Sequence, residues 1–306
     1  MQSPFSNYGI LSGQIFLYGA GRVAFESPLS TNEQMLSSKK CILVGGLSDG
    51  LLPVPYTQDL ETMCTECNWS LVQPVISSSY TGFGHGSLQR DCDELEELMR
   101  FLIEYRNAEQ FCLVGHSTGC QDAVYFLEYA APDLISRMKV VALQAPVSDR
   151  EDAMMQDGYA TNLEVAQTLV KDGQGHEMMP RSAFWAPITA QRFLDLNEKG
   201  GTDDYFSSDY TDDELAARLQ HVGAHQQNGL QVLVACSGAD EYVPSHVDKS
   251  LLADRLVAAM NAKCTDDKPA VAQRVYIESG NHNLKEGAGD GKKFVRQVGE
   301  QLKKVK

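Results

Sequence analysis

The sequence lacks the segments that would direct it into or across a membrane. No stretch of the 306 residues approaches the apolar length that spans a bilayer. The amino terminus has no basic segment followed by an apolar one, which is the pattern of a secretory signal. We therefore expect neither membrane insertion nor secretion, and we expect a cytoplasmic location.

The chain is also poor in positive charge. It has 26 lysines and arginines against 41 aspartates and glutamates, which gives a formal net charge of −15. Binding to nucleic acid phosphates calls for a basic face, so the composition argues against a nucleic acid partner. The G-x-G-x-x-G and P-loop lysine patterns are absent as well, and we expect no cofactor.

The cysteines do not form a metal-binding pattern. Cys64 and Cys67 make a single C-x-x-C with no second cysteine or histidine pair nearby, so a zinc site would lack ligands and we expect no metal. Cys41, Cys112 and Cys236 lie inside apolar runs typical of buried strands. Free thiols in a reducing compartment fit this usage better than disulfides.

The sequence does contain a regular alternation of short apolar segments with longer helical patterns. This alternation predicts one α/β domain over residues 1–306, with a mostly parallel eight-stranded sheet and helices on both faces. A long acidic stretch at about residues 148–229 interrupts the alternation and is predicted to be an inserted helical cap. The predicted strands are residues 14–18, 22–25, 41–44, 70–75, 111–114, 140–143, 231–236 and 274–277. The predicted helices are residues 55–67, 91–105, 120–129, 162–171, 212–222, 245–260 and 292–303.

A nucleophile motif follows the fifth predicted strand. Gly115-His116-Ser117-Thr118-Gly119 stands between that strand and a helical segment, which is the context that gives G-x-S-x-G its chemical meaning. A sharp turn there requires small residues on either side of the serine, whose hydroxyl then projects above the sheet. The motif predicts Ser117 as the nucleophile of an α/β-hydrolase fold.

A serine hydroxyl needs a histidine to take its proton and a carboxylate to orient that histidine. In this fold the order along the chain is nucleophile, acid, base. Asp240 follows the seventh predicted strand in a Gly-x-Asp-x-x-Val-Pro arrangement, and Glu241 is its competitor. His282 follows the last strand in a glycine-bearing loop and is the expected base.

The loop after the third predicted strand is expected to complete the oxyanion hole. It carries two adjacent glycines, so its backbone can approach a bound carbonyl closely. We expect the backbone N–H groups of Leu47 and Thr118 to be the donors, with Gly46 beside them. The candidates for the substrate pocket are Tyr80, Phe83, Met154, Met155, Trp185 and Tyr242, although such side chains are equally typical of packing.

Several segments resemble the DUF1749 or UPF0613 family of fungal and protist α/β hydrolases, which includes an intracellular siderophore esterase acting on fusarinine-type hydroxamate esters. The matching segments are residues 45–51, 54–56, 77–84, 115–119, 188–193 and 203–209. The resemblance implies the fold, the triad and hydrolysis of an ester or amide bond in a small molecule. It leaves the substrate open.

Two other functions are compatible with these residues. A hydrolase fold can serve as a catalytically silent binding protein, although such proteins usually lose a triad member. The same serine chemistry can also transfer an acyl group to an acceptor other than water. The sequence gives no indication of the oligomeric state.

Overall fold

The computed structural model describes residues 8–29 and 36–305. Its centre is an eight-stranded sheet in the order β1-β2-β4-β3-β5-β6-β7-β8. The strands are β1 (Gln14–Tyr18), β2 (Arg22–Glu26), β3 (Lys39–Val44), β4 (Ser70–Val75), β5 (Gln110–His116), β6 (Met138–Gln144), β7 (Gln231–Ser237) and β8 (Ala272–Ile277). The strands from β3 to β8 pair in parallel, and β1 and β2 form an antiparallel edge. The predicted architecture is confirmed.

Helices cover both faces of the sheet because its strands are apolar on both sides. In β3, Ile42 and Val44 enter one apolar core and Cys41 and Leu43 enter the other. The helices are α1 (Thr57–Glu66), α2 (Leu88–Arg106), α3 (Thr118–Tyr129), α4 (Pro132–Arg137), α5 (Asp149–Ala153), α6 (Tyr159–Lys171), α7 (Ala190–Asn197), α8 (Asp212–Leu219), α9 (Lys249–Asn261) and α10 (Asp290–Leu302). The first core lies under α2, α3, α8 and α9, and the second lies under α1 and α10. Two 3₁₀ helices occupy Tyr80–His85 and Gly223–Asn228.

The helix ends differ from the sequence predictions where a capping side chain lies outside the predicted range. The α2 helix begins after Ser87, whose hydroxyl accepts the N–H of Arg90, and so starts three residues before the predicted range of 91–105. The α9 helix begins after Asp248 rather than at Ser245. The short helices α4, α5 and α7 were not among the predicted helices.

The predicted cap segment divides between two apolar cores. A separate cluster contains Ala166, Met179 and Phe193, and it joins α6 to α7 above the carboxyl ends of the strands. From Tyr205 onward the apolar residues belong instead to the core under α3 and α9, since Leu215 and Leu219 of α8 are buried there. The segment with its own core is therefore shorter than residues 148–229.

Buried ion pairs hold distant parts of this smaller segment together. Arg150 Nε donates to Asp204 Oδ2 at 3.0 Å, and Arg192 Nη1 donates to Asp203 Oδ1 at 2.6 Å. All four side chains are buried, so each charge is compensated by a partner within the protein.

No helix in the described part of the chain is both long and apolar enough to cross a bilayer.

Candidate active site

Ser117 occupies the sharp turn between β5 and α3. Its φ of 53° and ψ of −123° lie outside the regions that L-residues favour. A Cβ on Gly115 would lie 2.1 Å from the Gly119 carbonyl oxygen, and one on Gly119 would lie 2.5 Å from the Val44 carbonyl oxygen. Both contacts are with backbone, which cannot rotate away as a side chain can, so the turn requires glycine on either side of the serine.

The structure brings Ser117, His282 and Asp240 into one hydrogen-bonded chain. His282 Nε2 lies 3.0 Å from Ser117 Oγ, and His282 Nδ1 lies 3.0 Å from each carboxylate oxygen of Asp240. Asp240 and His282 are both buried. The three side chains follow β5, β7 and β8, whose carboxyl ends lie along the same edge of the sheet.

Glu241, the competitor of Asp240, makes a different contact. Its Oε2 accepts the backbone N–H of His282 at 2.9 Å and does not meet the imidazole. The Asp240 carboxylate is itself oriented by the backbone N–H of Tyr242, at 3.0 Å from Oδ1. The geometry favours Asp240 as the carboxylate that orients His282, while Glu241 holds the backbone of the histidine loop.

The glycine-rich loop after β3 approaches the serine closely. A Cβ on Gly46 would lie 2.7 Å from Ser117 Cβ, so only glycine fits there. The Gly46 N–H donates to Asp49 Oδ2 at 2.8 Å and is therefore unavailable to a substrate. The pKa of Asp49 is raised to about 6, mainly because its carboxyl group is buried. The hydrogen bond from the Gly46 N–H and the charge of His282 oppose this shift.

Two backbone N–H groups remain at the predicted oxyanion position. Within residues 8–29 and 36–305, no acceptor takes the N–H of Leu47, which belongs to the loop that Gly46 holds against Ser117. Thr118 is the first residue of α3, where backbone N–H groups have no partner inside the helix and the helix dipole is positive. The two N–H groups stay the predicted donors to a negative oxygen next to Ser117.

Gln144, at the carboxyl end of β6, connects these parts and was not among the predicted site residues. Its Nε2 donates to the His282 carbonyl oxygen at 2.8 Å, and its Oε1 accepts from Tyr56 Oη at 3.0 Å and from His116 Nδ1 at 2.7 Å. Its backbone carbonyl accepts the N–H of Ser117 at 3.0 Å. The side chain is fully buried, so these contacts tie the histidine loop to the serine turn without competition from water.

His116 is held neutral by its surroundings. The pKa of its imidazole is lowered to about 3, mainly by burial and also by the charge of His282, while the hydrogen bonds to Gln144 oppose the shift. Because Gln144 Oε1 is an acceptor, His116 donates through Nδ1. Its ring centroid lies 5.0 Å from that of His282, so it packs behind the proposed base rather than replacing it.

A cavity of about 750 Å³ opens above Ser117. Trp185 and Tyr242, two of the candidate pocket residues, line it, and Tyr242 packs edge-on against His282 with ring centroids 4.5 Å apart. Trp185 comes from the segment between α6 and α7, so that segment covers the serine. The volume is that of a typical small-molecule site.

Other residues predicted for the pocket lie outside this cavity. The ring of Tyr80 packs against Gly50, in the glycine-rich loop after β3, and does not line the cavity. Phe83 is buried below Trp185, with ring centroids 5.1 Å apart, and it supports the cavity wall without reaching its surface. Met154 and Met155 are half exposed and are not among the lining residues. Residues 147–185 form much of the cavity wall, and the sequence patterns predicted a cap there but not which of its side chains face the serine.

Comparison with known proteins places this architecture in a family. The family described as "Protein of unknown function (DUF1749)" matches residues 1–303. The chain belongs to the DUF1749 family. The family resemblance predicted from the sequence is thereby confirmed.

This DUF1749 protein has similar relatives in fungi. It is 34% identical over 262 residues to a UPF0613 protein of Schizosaccharomyces pombe, covering 79% of this chain and 82% of the relative. It is 29% identical over 306 residues to the fusarinine C esterase sidJ of Aspergillus fumigatus, covering 83% and 85%. The solved structure of the siderophore hydrolase EstB from Aspergillus fumigatus matches with a TM-score of 0.78 and 27% identity, over 97% of this chain and 99% of that one. The chain is an α/β hydrolase, as predicted.

Proposed function

We propose that this DUF1749 protein is a serine hydrolase that cleaves an ester bond of a small molecule. The observation that carries the proposal is the hydrogen-bonded chain from Ser117 through His282 to Asp240 at the floor of the cavity. The esterase and siderophore hydrolase relatives support the reaction class. A catalytically silent protein would have no need to retain all three side chains in this geometry.

In the first half of the reaction, Ser117 Oγ attacks the substrate carbonyl carbon while His282 Nε2 takes the serine proton. The carbonyl electrons move onto its oxygen, which the N–H groups of Leu47 and Thr118 stabilise. Asp240 keeps His282 Nδ1 protonated and stabilises the imidazolium that forms. His282 then gives its proton to the leaving alcohol, and an acyl group remains on Ser117.

In the second half, His282 takes a proton from water as the water oxygen attacks the acyl carbon. The carboxylic acid leaves when the bond to Ser117 breaks, and the proton held on His282 returns to Oγ. The same acyl intermediate could pass to an alcohol or an amine. No feature of the described cavity favours such an acceptor over water, so hydrolysis is the proposed outcome.

We further propose that the chain is one domain in which residues 148–204 form a cap over the site. The separate apolar cluster of α6 and α7 and the position of Trp185 support this division.

A cytoplasmic location is also proposed, since all eight cysteines are free thiols and six of them are buried. Imaging of a tagged protein in cells tests the location, and tagged protein in the medium would contradict it.

A fluorophosphonate probe tests the nucleophile, because it labels an activated serine covalently. Labelling and ester hydrolysis are expected for the wild type and are expected to be lost in Ser117→Ala. Ser182→Ala is the matched control, since Ser182 lines the same cavity and has no role in the mechanism. Labelling of Ser117→Ala at the wild-type rate would refute the assignment.

The substrate class requires a panel of compounds. Simple aliphatic esters, matched amides and fusarinine C should be assayed side by side by product formation. Faster turnover of the esters than of the amides is the expected result. Turnover of amides alone would refute the ester part of the proposal while leaving Ser117 as the nucleophile.

A further inference from the structure

The wall of the cavity above Ser117 carries several carboxyl side chains and, in the described part of the chain, no lysine or arginine. Asp49, Asp149, Asp152, Asp157 and Glu241 line it, and among the described residues no lysine or arginine does. None of these five carboxylates forms an ion pair within the described part of the chain. The cavity therefore presents carboxyl groups around the proposed nucleophile whose charge, when they are ionised, no lysine or arginine of the described residues compensates.

Nearby arginines do not neutralise this charge because they are engaged elsewhere. Arg150 is adjacent to Asp149 along the chain, but its guanidinium bonds to Asp204 and Asp209. Arg192 pairs with Asp203 and is almost fully buried. These two guanidinium groups therefore compensate other carboxylates and not those of the cavity.

Two of the carboxylates lie close to the reacting groups. The pKa of Asp149 is raised to about 7, mainly by burial and also by the charge of Asp203, while the charges of Arg192 and His282 oppose the shift. Burial raises the pKa of Asp152 as well, and the charge of His282 lowers it. Asp149 accepts one hydrogen bond, from Gln121 Nε2 at 3.2 Å, and the carboxylate of Asp152 has no partner in the described residues. These groups are poorly solvated and would gain from an opposite charge.

The carboxylates fit an organic cation better than a metal ion. Within residues 8–29 and 36–305, no group of three or more acidic, histidine or cysteine side chains is close enough to hold a metal ion. A substituted ammonium group needs no such coordination, since it is held by spread negative charge and by aromatic faces. Trp185, Tyr242 and Phe184 supply aromatic rings in the same cavity.

We propose that the substrate is an ester that carries a positively charged ammonium group. This inference rests on the proposed hydrolase function and specifies the chemistry of its substrate. Asp149 and Asp152 are assigned as specificity residues, which attract the cation and do not take part in bond cleavage. The ammonium group lies against the carboxylates of α5 and the segment that follows it, while the ester carbonyl meets Ser117 and the oxyanion donors.

The test uses pairs of esters that differ only in charge. The first pair is butyrylcholine and the ester in which a tert-butyl group replaces the trimethylammonium group, so the charge is on the alcohol. The second pair places the same two groups at the end of the acyl chain of an ethyl ester. In at least one pair, kcat/KM is expected to be about tenfold higher for the cation at low ionic strength.

Salt and substitution then identify the source of the preference. The ratio of kcat/KM values is expected to fall toward one at about 1 M salt, where the screening length is about 3 Å. Asp152→Asn and Asp149→Asn are each expected to lower the ratio about threefold. Asp172→Asn removes one charge from an exposed cap position outside the cavity and is expected to keep the wild-type ratio. The salt series needs only the wild-type protein, so it remains informative if a variant fails to fold.

Three results would contradict the inference in whole or in part, and they are distinguishable from one another. Equal or faster turnover of both neutral esters would refute the ammonium preference while leaving the serine hydrolase proposal intact. Absence of turnover of all four esters, together with absence of fluorophosphonate labelling at Ser117, would refute both proposals. A preference for the cation that persists unchanged in Asp149→Asn, Asp152→Asn and high salt would refute the assignment to these carboxylates.

Discussion

Replacing Gln144 with methionine should separate the positioning of His282 from general stability. Methionine has a similar length but can neither donate to the His282 carbonyl nor accept from Tyr56 and His116. Each buried polar group left without a partner costs about 1–3 kcal/mol. With three such groups and some gain from burying an apolar side chain, we expect the free energy of unfolding to fall by about 3 kcal/mol.

The effect on catalysis follows from the same contacts. Without the Gln144 amide, the backbone of His282 keeps its bond to Glu241 but loses its link to the serine turn. Displacement of a catalytic group by about 1 Å can cost about 100-fold in rate, so we expect kcat for a simple ester to fall about 10- to 100-fold with little change in KM. This loss corresponds to about 1.4–2.7 kcal/mol of transition-state stabilisation.

Gln226→Met is the matched control for this experiment. Gln226 is also buried, and its Nε2 donates to the carbonyl oxygens of Thr265, Lys268 and Pro269 at 3.0–3.1 Å. It does not line the cavity, so its replacement should lower stability by a similar amount and leave kcat unchanged. Steady-state kinetics and denaturant unfolding measure both quantities. Wild-type kcat in Gln144→Met, or an equal loss of kcat in the control, would refute the positioning role.

Three further predictions concern the serine turn, the acid and a buried carboxyl. In Gly119→Ala, the new methyl group would lie 2.5 Å from the Val44 carbonyl oxygen. We therefore expect the free energy of unfolding, measured with denaturant, to fall by about 3 kcal/mol. Wild-type stability would contradict this close approach. Asp240→Asn should lower kcat about 10⁴-fold in steady-state assays. Glu241→Gln should lower kcat less than about tenfold, because an amide oxygen can still accept the backbone N–H of His282. A larger loss of kcat in Glu241→Gln than in Asp240→Asn would make Glu241 the acid. Burial raises the pKa of Asp122 well above its usual range, so the folded state keeps a proton that the unfolded state loses above about pH 4. The free energy of unfolding therefore declines as the pH rises, by up to about 1.4 kcal/mol per pH unit. Asp122→Asn should make the unfolding free energy less dependent on pH between pH 5 and 7, and an unchanged dependence would contradict this pKa shift.

The strands could be predicted from the sequence because parallel strands buried on both faces are short continuous apolar runs. All eight were located, and the main differences are at their ends. Helix ends were less predictable, as α2 shows. Its cap is Ser87, but a serine before a helix resembles any other loop serine until the chain has folded.

The candidate site was predictable to the extent that it depends on order along the chain. Ser117 is identified by glycines that its turn requires, and Asp240 and His282 by their positions after strands. The choice between Asp240 and Glu241 could not be made from adjacent residues, because it depends on which carboxylate faces the imidazole. The pocket predictions were the weakest, since Tyr80 and Phe83 have the right chemistry but face other surfaces.

The sequence by itself determined the sheet, the serine turn and the family, because these depend on local patterns of apolar residues and glycines. Only the tertiary structure decided what surrounds the serine. Gln144 joins side chains and backbone from three distant segments, and no local pattern encodes such a contact. The charge of the cavity was decided in the same way, because burial of Arg150 and Arg192 against other carboxylates leaves Asp149 and Asp152 unpaired beside the nucleophile.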